Sequence, residues 1–156
     1  MSQGMNDAPA KREDTLPIGM FLLGDAYLQA ARIMRGYMDE RWPHPVYFLY
    51  SQAIELFLKS YLRTQGFSED ELKTRKWRHG LTGLWESCVA KGLPAYQKFG
   101  GNCCTCLIDM LDASIKEHEY PHLRTGSKSE PTIESVDAVA RGLRDMIFAV
   151  MPIPCR

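Results

Sequence analysis

The stretch PHPVYFLYSQAIELFLKSYLRTQG, Pro43 to Gly66, sets the architecture of this chain. At about 100° per residue, Ser51, Gln52, Glu55, Lys59 and Arg63 fall within roughly 120° of a helical circumference. The other faces carry Val46, Tyr47, Phe48, Leu49, Tyr50, Ala53, Ile54, Leu56, Phe57, Leu58, Tyr61 and Leu62. A helix apolar around most of its girth has to be surrounded by protein, either its own bundle or a second copy. The expected fold is all-α, an antiparallel up-and-down bundle of four to five helices.

The flanking sequence supplies the other helices. Leu16 or Pro17 opens a helix running to about Glu40, capped by Asp14 or Thr15. Its three- and four-residue steps predict a buried face of Leu23, Tyr27, Ala30, Ala31, Met34 and Met38. Trp42-Pro43-His44-Pro45 breaks it, because residues before proline avoid the helical region. Gly66 then closes the second helix as a left-handed cap. Phe67 to Gly80 is polar, with a short helical turn near Glu69 to Leu72. Leu81 to Lys91 reads as a third helix with Leu81, Leu84, Trp85 and Cys88 inward, closed by Gly92. A fourth spans about Asn102 to Glu117, with Cys103, Cys106, Leu107, Met110, Leu111 and Ser114 on one side. Tyr120 to Pro131 is loop. The last helix, about Thr132 to Val150, is capped by Thr132 or Ser135 and buries Ile133, Val136, Val139, Ala140, Leu143, Ile147 and Val150. No strand-like alternation or internal repeat occurs. Residues 1–15 are expected as a disordered lead-in, 16–151 as one helical domain and 152–156 as a short tail.

Bulk properties exclude several classes. The chain of 156 residues suits one domain, and 45% apolar with 24% charged residues is ordinary for a soluble protein. Nineteen basic and nineteen acidic side chains cancel, so overall charge does not mark a nucleic-acid binder, although a local patch can. No apolar run is long enough for a membrane span. The N-terminus lacks the apolar core of a secretory signal, and five cysteines do not pair into a disulfide framework. A cytoplasmic location with reduced thiols is expected.

Candidate chemistry is sparse. Cys103-x2-Cys106-x11-His118-x3-His122 nearly matches zinc-finger spacing. A continuous fourth helix would separate Cys106 from His118 by about 18 Å, too far for one tetrahedral ion. No metal is expected. No P-loop, dinucleotide fingerprint or nucleophile elbow appears, and no cofactor is expected. Lys73, Arg75, Lys76 and Arg78 surround Trp77, a combination that grips phosphates while an indole stacks on a base. Tyr120-Pro121-His122-Leu123-Arg124 adds a second group of donors. Glu55 and Lys59, one turn apart, form either a surface ion pair or the wall of a groove beside the basic stretch. The candidate binding set is Glu55, Lys59, Arg75, Arg78, His79, Tyr120, His122 and Arg124.

Ala53-Ile54-Glu55-Leu56-Phe57-Leu58-Lys59-Ser60-Tyr61-Leu62, followed by Gly66, Arg78-His79-Gly80-Leu81-Thr82-Gly83-Leu84 and Ala90-Lys91-Gly92, resembles the HEPN domain superfamily. Many members carry A-I-E-L-x-L-K-A-x-L and then G-H-D-L-x-x-L opening the next helix. Tyr120 to Gly126 resembles the loop before the last helix in some of them. The resemblance covers about Pro17 to Val150 and implies a homodimer with RNA or a nucleotide as ligand, or a nucleotidyltransferase-type protein partner. HEPN ribonucleases use Arg-x(4–6)-His. This chain has Arg75-x3-His79, one residue short, and His122-x-Arg124 in reverse order. The expectation is therefore a non-catalytic binding protein, with a metal-independent ribonuclease using an atypical His/Arg site as the alternative.

Overall fold

The computed structural model describes residues 16–39, 41, 43–74, 80–119 and 131–152, without the side chains of 117–119. Among these the elements are α1 (Pro17–Arg35), α2 (His44–Thr64), α3 (Glu69–Leu72), α4 (Leu81–Ala90), β1 (Lys98–Phe99), β2 (Asn102–Cys103), α5 (Cys104–Glu119) and α6 (Ile133–Phe148). The fold is an all-α bundle with α2 at its hub, touching α1, α4, α5 and α6. Eleven α2 residues are buried, Tyr50, Ala53, Ile54, Phe57, Leu58 and Leu62 completely. Burying a large apolar side chain contributes about 1.5–3 kcal/mol, so this helix anchors the core. The polar seam is narrower than expected. Ser51 is buried with its hydroxyl donating to the Tyr47 carbonyl at 2.6 Å, while Phe48 stands exposed beside Gln52 and Glu55.

Helix ends follow local chemistry. Gly66, at φ 93°, closes α2 with Phe67 N–H to the Leu62 carbonyl and Gly66 N–H to the Arg63 carbonyl. Gly92, at φ 118°, repeats the motif after α4. Ser68 and Glu71 form a reciprocal capping box on α3, and Thr132 caps α6 by accepting from Ser135 N–H. Across the bundle, the Asp112 carboxylate accepts the Leu81 N–H at 3.0 Å and so caps α4 from α5.

Several expectations need correction. α1 ends at Arg35, not near Glu40, because Gly36 continues a helix poorly. Its N-cap is Leu16 without a side-chain bond, and Asp14 and Thr15 lie outside the described residues. The buried face of α1 is Phe21, Gly24, Leu28 and Ala31, leaving Leu23 and Met34 exposed. A Cβ on Gly24 would lie 3.0 Å from the Phe57 ring, so this glycine draws α1 onto α2 and chooses the face. On α5 the buried face is Cys104, Leu107, Ile108, Leu111, Asp112 and Ser114, whereas Cys106 and Met110 are exposed. Val150 lies beyond α6 and is exposed. Finally, Gly100-Gly101, both at positive φ, turn a two-residue antiparallel hairpin where no strand was expected. No described helix is long and apolar enough to cross a membrane.

Candidate functional site

α6 presents its apolar stripe, Val136, Val139, Ala140 and Leu143, to the core. That phase carries Asp137 to the edge of the stripe, where α6 meets α1 and Tyr50 of α2. Asp137 is buried. Its Oδ1 accepts the Tyr50 hydroxyl at 2.9 Å and faces Arg32 Nε at 3.4 Å. Its Oδ2 accepts from Arg141 Nε at 2.8 Å and lies 3.8 Å from an Arg35 nitrogen. Arg35 also donates to the exposed Glu134 at 3.0 Å.

Each member has a local reason for its place. Asp137 and Arg141 stand one turn apart in the favoured acid-before-base order. Arg32 and Arg35 occupy the last turn of α1, where a positive charge complements the carbonyl end. Burial, reinforced by the hydrogen bond to Asp137, pushes the Tyr50 hydroxyl up to about 12, against the opposing pull of Arg35. Tyr50 is thus held as a neutral donor to a carboxylate.

Three guanidiniums therefore face one buried carboxylate and one solvent-facing glutamate. Arg32 and Arg141 are nearly half exposed. Each guanidinium has five donors, more than Asp137 accepts, and the outward edges suit a phosphate or carboxylate in bidentate geometry. A shallow, open depression of about 500 Å³ borders them, lined by Gln29, Arg32, Ile33, Arg35 and Gly36.

Of the residues singled out from the sequence, Glu55 and Lys59 are placed. They form a 2.5 Å ion pair along the partly buried seam of α2, one turn apart. Arg75, Arg78, His79, Tyr120, His122 and Arg124 lie outside the described residues, as do Trp77 and the loop from Tyr120. Arg32, Arg35, Asp137 and Arg141 were missed. Their signal is the pairing of charges at three- and four-residue steps on two helices, which sequence alone assigns to solvent.

Cys103 and Cys106 meet at the start of α5. The Cys106 N–H and thiol, with a smaller contribution from Lys98, hold the Cys103 thiol below the usual range, while Cys103 raises Cys106. α5 is continuous, so Cys106 and His118 sit twelve residues apart on one helix, about 18 Å. Among the described residues no group of three or more histidine, cysteine or acidic side chains forms a metal-binding cluster.

No family model, curated protein or solved structure matches the chain.

Proposed function

We propose that the chain is a HEPN-like helical-bundle module that binds a phosphate-bearing ligand, RNA or a nucleotide, at the arginine cluster between α1 and α6. The observation that carries this reading is the convergence of Arg32, Arg35 and Arg141 on a single buried carboxylate, Asp137. Asp137 and Tyr50 hold the guanidiniums in place, so little side-chain freedom is lost when an anion arrives. The neighbouring depression leaves room for a sugar or base beside the phosphate. The A-I-E-L-x-L-K helix is consistent with this reading: Ala53, Ile54 and Leu58 are buried while Glu55 and Lys59 pair on the seam.

The test is a titration with a short single-stranded RNA and with ATP at two salt concentrations. Affinity is expected to fall with salt, as phosphate contacts require. The double reversal Arg32→Glu with Arg141→Glu is expected to weaken binding at least tenfold with helicity unchanged by circular dichroism. Absence of binding, or binding indifferent to the reversal, overturns the site. RNA recovered intact in the presence of chelator keeps the reading to binding. Cleavage that disappears in His122→Ala would replace it with the metal-independent ribonuclease.

A further inference from the structure

α1 has its polarity inverted. All three of its charged side chains turn toward α6: Asp25 to Arg144, Arg32 to Asp137, and Arg35 to Glu134 and Asp137. The opposite arc, about 120° wide at 100° per residue, holds no charged, amide or aliphatic hydroxyl side chain. Its large members are Leu22, Leu23, Ile33, Met34 and, just past the helix end, Tyr37, which are 59%, 51%, 65%, 42% and 84% exposed. Between them lie only Gly19, Ala26 and Ala30. Together these exposures amount to about three fully exposed large side chains, on the order of 500 Å² of mostly apolar surface. A standard-size interface takes about 800 Å² from each partner.

The order of residues along the face identifies the occupant. About a point at the level of Leu28, the pattern is its own mirror: Leu22 answers Met34, Leu23 answers Ile33, Ala26 answers Ala30, and Gly19 answers Tyr37. Two copies of α1 laid antiparallel across a twofold axis there put small residues at the crossing. Large ones then meet at both ends, and the broadest ring lies opposite a glycine. Isologous interfaces require such self-matching, and alanines at the crossing let the helices approach closely. A face with no charge offers an unrelated polar partner nothing to recognise.

We propose that the outer face of α1 is a twofold homodimer interface in which α1 packs antiparallel on α1 of a second copy. This rests on α1 alone and not on the ligand proposed for the arginine cluster, although Ile33 belongs both to this face and to the rim of the neighbouring depression. Full-length protein in sedimentation velocity at tens of micromolar is expected to run as a dimer. Leu23→Glu with Ile33→Glu should make it a monomer of unchanged helicity. Register is read by cross-linking in a background with Cys103, Cys106 and Cys155 replaced by serine. Leu22→Cys with Met34→Cys in one chain should give a covalent dimer under diamide, whereas Leu22→Cys alone should not, its two copies lying about 18 Å apart along the axis. A monomeric wild type overturns the proposal, as does a dimer that survives the charged pair. Cross-linking by Leu22→Cys alone overturns the antiparallel register. The near-isosteric cysteine variants keep the test decisive if the charged pair fails to fold.

Discussion

Single side chains in this bundle have been moved away from their solution chemistry by identifiable neighbours. Tyr50, buried against Asp137, titrates near 12 when folded and near 10 when free. Its folded pKa is raised, so the stabilisation is complete below pH 10 and is lost as pH climbs toward 12. On the order of 2 kcal/mol is at stake. Urea unfolding at pH 9 and pH 11.5 should show a larger loss in the wild type than in Tyr50→Phe, and equal losses would refute the raised titration that burial and Asp137 give Tyr50. Among the thiols, Cys103 is depressed by its contacts with Cys106, whereas Cys104 is pushed up to about 12 by burial and Cys88 is raised by burial. Limited alkylation with iodoacetamide at neutral pH, read by mass spectrometry, is expected to label Cys103 ahead of Cys106 and to leave Cys88 and Cys104 unlabelled.

At the level of elements, close approach matters more than propensity. Gly142 on α6 faces the Phe99 ring of the hairpin, and a methyl group there would collide with it. Gly142→Ala should therefore destabilise by about 1–3 kcal/mol in urea. In a Phe99→Ala background the same change should be neutral or gain up to about 1 kcal/mol from helix propensity. The two glycines that draw elements together, Gly24 and Gly142, also explain which faces were legible. α4 and α6 carry one apolar stripe each, and Leu81, Leu84, Trp85, Cys88 and the α6 series from Ile133 to Ile147 read correctly, Val150 alone falling outside. α1 carries two. The regular one, with Leu23 and Met34, looks like a core stripe, but the one that packs contains Gly24, which no hydrophobic pattern marks. α5 was misread because cysteines and Met110 mimic a face that Ile108 and Asp112 actually define.

Over the whole molecule the bundle was legible and the arginine cluster was not, for one reason. Fold class follows from patterns within a single helix. The cluster joins residues 32 and 35 to 134, 137 and 141, a hundred positions apart, and only the docking of α1 and α6 on α2 unites them. The same centrality of α2 has a consequence for how the protein is made. Its last residue is translated about eighty-four residues before the end of α6. At about 5–20 residues per second, the nascent chain exposes a half-clad greasy rod at the ribosome for roughly 4–17 s. α1 is there from the start, α4 and α5 join as they are made, and α6 closes the cover last. That delay follows from placing the most deeply buried helix early in the chain and the helix that completes its cover last.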